Sequence, residues 1–351
     1  MEKGSFQGWE GRMGPGGIVK DTLGRELRDL RISVTDRCNF RCTYCMPDGE
    51  NYEFFPRNEI LTFEEIARFV KAITPLGIKK VRLTGGEPLL RKHIENLIHM
   101  LSEIEGIQDL SLTTNGFLLK DKAKVLKDAG LKRITVSLPS LKDEKLSLLV
   151  GRKVKVAQIL SGIEKALEVG LHPVKVNVCV IRGLNDDEII HIAKFFKSMG
   201  VIVRFIEFMD VGNLNGWSLD KVFSVKEMLS LLERHFELQP VGRSYRGEVA
   251  ERYRYKDDGV EVGFISSITQ PFCGDCNRLR LTADGKLLTC LFASDGHCIK
   301  SLLHSGASDE EIRNFVINVW SLRKDRYSEE RLELLKRGIT PRKVEMFKIG
   351  G

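Results

Sequence analysis

Apolar positions along this chain recur in two alternating rhythms. Leu30, Ile32 and Val34 alternate with polar residues and predict a strand over 29–35. Phe63, Ile66, Val70 and Ile73 follow at helical spacing, behind a capping-box pattern Thr62-x-x-Glu65. The helix is predicted to end at Pro75-Leu-Gly77, and 79–84 (KKVRLT) reads as the next strand. The unit then recurs. A helix carrying Ile94, Leu97, Ile98 and Leu101 precedes a strand over 109–114. A helix around 123–129 precedes a strand over 132–138, and one carrying Val156, Ile159, Ile163 and Leu167 precedes a strand over 174–181. Asn185-x-x-Glu188 opens a last helix with Ile189, Ile192 and Phe196, before a strand over 201–208. Four of these helices stop at a glycine, Gly77, Gly130, Gly170 and Gly200, which suits the left-handed position that closes a helix.

Strands alternating with helices imply parallel βαβ units. Six of them fit either a doubly wound sheet or an incomplete α/β barrel, and in both a ligand sits at the C-terminal strand ends. From about residue 216 the rhythm changes. A helix near 224–235 is followed by short alternating runs through 264, which predict small antiparallel strands, and then by helices near 308–322 and 329–337. The expected organisation is a mobile segment over 1–20, an α/β unit over 21–215 and a C-terminal extension over 216–351.

Composition adds limits. Apolar residues make up 42% and charged residues 29% of 351, as in an ordinary soluble domain. No apolar stretch is long enough to span a bilayer, and the Gly-rich start has no signal-peptide core, so the expected location is the cytoplasm, with no membrane partner. The net charge of +7 admits an anionic ligand, but no Lys/Arg block resembles a nucleic-acid arm. Eight cysteines, clustered, suit metal ligation in a reducing compartment better than a disulfide framework.

The cysteines carry the chemistry. Cys38, Cys42 and Cys45 form a CxxxCxxC run behind the first strand. Three thiolates hold three irons of a four-iron cluster and leave one iron free to bind a small molecule. Cys273, Cys276 and Cys290 make a second set of three; a zinc site completed by Cys298, His297 or His304 is the alternative. Cys179, within the apolar run VKVNVCV, reads as a plain buried thiol. Arg278 and Arg280 lie between cysteines of the second set. They alternate in an extended segment, so both face one side, where guanidinium groups grip phosphate. Arg82 and Lys175 sit in strands that should be buried. Either a strand carboxylate such as Glu207 pairs with them, or an anion inside a barrel does.

The sequence DLRISVTDRCNFRCTYCMP (29–47) resembles the radical S-adenosylmethionine superfamily and, within it, the GTP 3′,8-cyclase family of molybdenum cofactor biosynthesis. LTGGEP (83–88), LTTNG (112–116), VKVNV (174–178), RGLND (182–186) and FIEFMD (205–210) extend the resemblance, as do the Cys273–Cys290 set with its arginines and the final Gly350-Gly351. The resemblance implies an incomplete (β/α)6 TIM-like barrel whose C-terminal extension of small antiparallel strands and helices carries a second iron–sulfur cluster. It implies two [4Fe-4S] clusters. Cys38, Cys42 and Cys45 would hold the one that binds S-adenosylmethionine, with Tyr44, Gly86, Ser137 and Met209 as further contacts to that molecule. Cys273, Cys276 and Cys290 would hold the one that faces the guanine of GTP. Arg31, Arg82, Thr113, Lys175, Arg278 and Arg280 would bind GTP. Arg31, Arg278 and Arg280, with the tail Gly350-Gly351, would assist catalysis. A 5′-deoxyadenosyl radical would take the ribose 3′ hydrogen, and the carbon radical would attack guanine C8. An electron donor is required, and the product would pass to cyclic pyranopterin monophosphate synthase. The expected state is a monomer or homodimer. Pro139 and the following segment 140–153 depart from the family pattern, which bears on Ser137. Two other readings stay open: a peptide-modifying radical enzyme with an auxiliary cluster, and a non-catalytic metalloprotein that binds RNA.

Overall fold

In the computed structural model, which describes residues 17–350, twelve strands form one continuous sheet. They are β1 (Asp29–Ser33), β2 (Lys80–Thr84), β3 (Asp109–Thr114), β4 (Arg133–Ser137), β5 (Val174–Val180), β6 (Ile202–Glu207), β7 (Leu238–Pro240), β8 (Glu251–Tyr255), β9 (Glu261–Ile265), β10 (Arg278–Leu281), β11 (Lys286–Leu288) and β12 (His297–Cys298). The spatial order is β12-β11-β10-β1-β2-β3-β4-β5-β6-β9-β8-β7. The helices are α1 (Phe63–Ile73), α2 (Ile94–Ser102), α3 (Leu119–Asp128), α4 (Asp143–Val150), α5 (Val156–Glu168), α6 (Ile189–Ser198), α7 (Val225–Glu233), α8 (Lys300–His304), α9 (Asp309–Ser321), α10 (Tyr327–Lys336) and α11 (Met346–Ile349).

The alternating pattern is realised as a partial barrel of six parallel strands, β1 to β6. The strands of the extension lie partly elsewhere than expected. β7-β8-β9 and β10-β11-β12 are antiparallel ribbons, but the inner member of each joins the barrel wall in parallel: β10 beside β1 and β9 beside β6. The wall is therefore eight parallel strands wide, and residues on both sides of position 215 share it. The twelve residues from β9 to β10 cross between its two edges and carry Cys273 and Cys276.

β5 shows why the barrel forms. Val174, Val176, Val178 and Val180 are buried on one face, while Lys175, Asn177 and Cys179 alternate with them on the other. The valines join the apolar layer under α3, α5 and α6, to which Ala123, Ile163 and Phe196 contribute. The inner face is polar, so this barrel is built around a ligand and not around packed side chains.

The Thr62 capping box forms as predicted, with both reciprocal bonds. A 3₁₀ turn over Asp186–Glu188 follows Asn185 and runs directly into α6, but the Asn185 side chain makes no cap: it accepts from the Ile181 amide at 2.8 Å and donates to the carbonyls of Pro139 and Cys179. The departing segment 140–153 contains α4, and the carbonyls of Leu149 and Val150 accept from the amides of Thr43 and Arg41 in the cysteine loop. The first part of the expected mobile segment, residues 1–16, lies outside the described residues. Val19 is fully buried, and Lys20 bridges to Glu26.

Candidate active site

Strand direction places the two cysteine sets at opposite ends of the barrel. Cys38 follows the C-terminal end of β1, whereas Cys276 precedes the N-terminal end of β10, which runs parallel to β1. Cys290 follows β11, antiparallel to β10, and so returns to the end where Cys276 lies. About five strand residues separate the ends, roughly 16 Å.

The first loop is anchored by its own backbone and by the two strand ends beside it. The amides of Cys45 and Met46 donate to the Cys42 carbonyl, and the Phe40 amide reaches the Cys38 sulfur at 3.4 Å. Gly86 donates to the Thr35 carbonyl, and any Cβ on it would collide with the Arg37 carbonyl, so glycine is required by this packing alone. Glu87 is buried. Its carboxylate accepts from the Leu89 amide, the Thr114 hydroxyl at 2.7 Å and the Asn115 amide at 2.7 Å. Asn115 then donates from its side chain to Asn39 and, at 3.9 Å, to the Cys38 sulfur. Burial raises the Glu87 carboxyl to about 7 against these bonds. The Tyr44 side chain packs beside Leu149, Ile181 and Phe208. Ser137 ends β4 beside Asn177, and Met209 lines the central cavity.

That cavity has a volume of about 160 Å³ and is lined by Arg31, Arg82, Arg204, Arg278, Arg280, Cys273, Cys276 and Cys290. It adjoins a second one, deeper in the barrel, lined by Lys80, Arg133, Lys175 and Tyr245. Register explains the convergence. Arg31 lies beside Arg82 on one side and Arg280 on the other, and Lys175 shares a rung with Thr135 and, through it, with Thr113. The alternative partner for the strand cations fails: the Glu207 carboxylate faces the other way, accepting from the amides of Val225, Ile268 and Thr269. Arg31, Arg82 and Lys175 have no ion pair or hydrogen bond among the described residues. The Arg278 Nη1 and Thr113 hydroxyl are buried without a partner there.

Asp109 pairs with Lys80 and Arg133, and Asp29, Glu248 and Glu261 line the second cavity, but the crowding of cations still carries an electrostatic cost. Burial first, then Arg204 and Arg133, lowers the Lys175 ammonium to about 7. Burial, then repulsion from Arg280 and Arg278, depresses Arg31, and burial with Arg82 depresses Arg204. A guanidinium does not shed its proton. This interior instead favours an anionic ligand rich in oxygen acceptors.

Sequence reasoning missed Arg204, Lys80, Arg133 and Asn177. Arg204 donates only to Asn177 at 2.9 Å and Thr135 at 3.4 Å. The signal that exposed Arg82 and Lys175, a lone cation alternating within an apolar strand, is present for Arg204 too.

The thiols fit iron–sulfur ligation. All six cysteines are free and none is fully exposed. Among the described residues no three His, Cys, Asp or Glu side chains converge on a single-ion site; a four-iron cube spreads its ligands wider than one zinc ion does. Of the residues that could complete a zinc site, Cys298 is exposed on β12, the His304 ring binds Glu65 at 2.6 Å, and His297 is exposed on β12. At the tail, the Gly350 carbonyl accepts from Arg280 at 2.7 Å, and a Cβ there would run into Thr84. Gly351 lies outside the described residues.

The sequence profile of the radical SAM superfamily matches residues 32–196, and the Molybdenum Cofactor Synthesis C profile matches 201–329. A GTP 3′,8-cyclase from Staphylococcus haemolyticus is 49% identical over 337 residues, 95% of this chain and 99% of that one. One from Staphylococcus aureus strain JH9 is 50% identical over the same coverage. The chain belongs to the GTP 3′,8-cyclase family. Family membership makes it a radical SAM enzyme that carries [4Fe-4S] clusters. Among solved structures it is similar to anSMEcpe with bound AdoMet (20% identity, TM-score 0.47, 60% of each chain) and to methylornithine synthase (18% identity, TM-score 0.47, 60% of this chain and 62% of that one). No helix among the described residues is long and apolar enough to cross a membrane.

Proposed function

We propose that this chain converts GTP to (8S)-3′,8-cyclo-7,8-dihydroguanosine 5′-triphosphate, the first step of molybdenum cofactor biosynthesis, with S-adenosylmethionine as radical source. The observation that carries this reading is the cationic barrel interior, with its unpaired guanidinium groups, lying between two sets of three cysteines at opposite ends. When bound, the cluster at Cys38, Cys42 and Cys45 supplies the electron that splits S-adenosylmethionine. The chain's own residues do the rest. Arg31, Arg82, Thr113, Lys175, Arg278 and Arg280 hold GTP, and the barrel position of Arg204 adds it to this set. They fix the ribose against the end where Tyr44, Gly86, Ser137 and Met209 receive S-adenosylmethionine, and the guanine against the end of Cys273, Cys276 and Cys290. Arg280 holds the tail by the Gly350 carbonyl, so that Gly350 lies beside Thr84 and Gly85, and the tail Gly350-Gly351 assists catalysis. Such fixed geometry supplies much of the acceleration, and exclusion of water and other hydrogen donors protects the radical. The cysteine usage fits a reducing, cytoplasmic setting with an external electron donor.

The test is anaerobic incubation with GTP, S-adenosylmethionine and a strong reductant, followed by mass spectrometry. 5′-Deoxyadenosine and cyclised GTP are expected in equal amounts. Absence of both refutes the proposal, and 5′-deoxyadenosine alone refutes GTP as the substrate.

A further inference from the structure

Two buried arginines, of which Arg323 also lines the central cavity, converge on the second cysteine set. Arg25, ahead of β1, donates from Nη1 to the Cys273 carbonyl and to the Asp325 carbonyl, both at 2.9 Å. Arg323, just after α9, donates from Nη1 to the Cys276 carbonyl at 2.5 Å. Asp21 braces both, at 2.5 Å from Arg25 and 3.6 Å from Arg323, and Asp325 pairs with Arg323 at 2.9 Å. The side chains of Arg25, Arg323 and Asp21 are 0–1% exposed. The Trp320 indole donates to the Arg25 carbonyl, and the Arg323 guanidinium lies over the Trp320 ring. Thr289, next to Cys290, donates to Asp325 at 2.7 Å. The clamp thus touches the chain at all three cysteines.

Arg25 and Arg323 pair with Asp21 and Asp325, and Asp29 faces the neighbouring Arg278, yet it is guanidinium N–H groups that reach the Cys273 and Cys276 carbonyls. Arg25 Nη2 and Arg278 Nη1 have no hydrogen-bond partner among the described residues. A buried cationic donor without a partner is expensive unless an anion faces it. Three thiolates and a cluster form such an anion, and each added electron makes it more negative. The potential of a cluster follows its surrounding charge and the hydrogen bonds to its sulfurs.

We propose that Arg25 and Arg323, braced by Asp21 and Asp325, are positioning residues that favour the reduced state of the second cluster and so raise its reduction potential. The inference rests on the two-cluster reading.

The experiment is an EPR-monitored redox titration of the full chain, reconstituted anaerobically, with iron counted beforehand. The wave that shifts on adding S-adenosylmethionine marks the first cluster, and the other marks the second. Wild type is expected to hold about eight irons. Arg323→Gln lowers the second wave by about tenfold in the reduction equilibrium, about 59 mV for one electron, and leaves the first wave in place. Arg323→Lys restores it. Asp325→Asn, which removes a negative charge, moves the second wave upward. About four irons in wild type overturns the two-cluster reading and this inference with it. About eight irons with the second wave unmoved in both Arg323→Gln and Asp325→Asn overturns the inference alone. Where Arg323→Gln fails to retain the second cluster, Asp325→Asn decides: an upward shift supports the inference, and no shift or a downward one overturns it.

Discussion

Cys38, Cys42 and Cys45 sit on one short loop, held by backbone bonds and by the neutral bridge Asn115–Asn39. Cys273, Cys276 and Cys290 come from two segments, and they are held by the guanidinium groups of Arg25, 248 residues from Cys273, and of Arg323, 47 residues from Cys276. Burial, then Glu87, pushes Cys38 up to about 11, and Cys45 is raised by burial and by its sister thiols. In the second set burial raises Cys273 and, with Asp325, lifts Cys290 to about 12, while against burial Arg278 and Arg323 hold Cys276 alone at about 6. The first site draws on backbone donors, and the second sets guanidinium groups against its cysteines. In physical terms a local loop makes a cluster site with little outside help, and such a site favours an oxidised cluster that reduces strongly once it gains an electron. A site assembled from distant segments can import charge, and it lies next to the cations that hold GTP.

The hardest test of this contrast removes one cluster at a time. Cys42→Ser is expected to lose about four irons and all 5′-deoxyadenosine. Cys276→Ser is expected to lose a similar amount of iron while still cleaving S-adenosylmethionine, without cyclised product. Iron assay and product mass spectrometry read both. Loss of S-adenosylmethionine cleavage in Cys276→Ser, with four irons retained, would break the division of labour between the two ends. Next in size is Arg204→Ala. It leaves every cysteine untouched and removes a charge-assisted contact of about 1.5–3 kcal/mol. GTP binding measured by calorimetry should weaken by roughly tenfold to a hundredfold, at unchanged iron content.

Much of this was legible in the sequence, for stated reasons. Helix and strand alternation depends on local periodicity, and β5 announces its two faces in the order Val174-Lys175-Val176-Asn177. The cysteine sets announce themselves by spacing. Strand pairing is not local. Nothing in Glu261–Ile265 or Arg278–Leu281 says that each joins the barrel in parallel, because that depends on edges formed by β6 and β1. Arg25 and Arg323 carry no motif, since their role exists only once residues 21–25 meet 320–325. Asn185 marks the start of its helical segment by position, but the Ile181 amide and the Pro139 carbonyl hold its side chain, so it caps nothing.

Lys175 sharpens the comparison through pH. It is held at about 7 by burial, Arg204 and Arg133. A bound triphosphate returns its proton. Above pH 7 free Lys175 is increasingly neutral, so GTP binding takes up a proton and affinity falls as pH rises. The slope approaches tenfold per pH unit, about 1.4 kcal/mol. Below 7 the lysine is already charged and the dependence fades. Calorimetry in buffers of different ionisation enthalpy between pH 7.5 and 8.5 measures the uptake directly. Lys175→Met should abolish it; uptake that persists in the variant assigns the proton to another group, such as Lys80, which burial lowers to about 8.

The smallest effect is expected at Asn115. Its backbone amide, bonded to Glu87, survives truncation to alanine, as does the strand end that carries it. Only the side-chain donor to Asn39 and Cys38, and the acceptor for the Phe117 amide, disappear. Each such neutral bond contributes about 1 kcal/mol. Asn115→Ala should therefore retain both clusters yet release first-site iron to a chelator several-fold faster, while second-site iron leaves at the wild-type rate. The rate difference should persist at high salt, because no ion pair was removed. Arg25→Gln should do the reverse, loosening the second site alone. Equal loosening of both sites by either variant would mean that the two ends of the barrel are held as one unit, and the contrast between a self-contained loop and an arginine-clamped one would lose its physical basis.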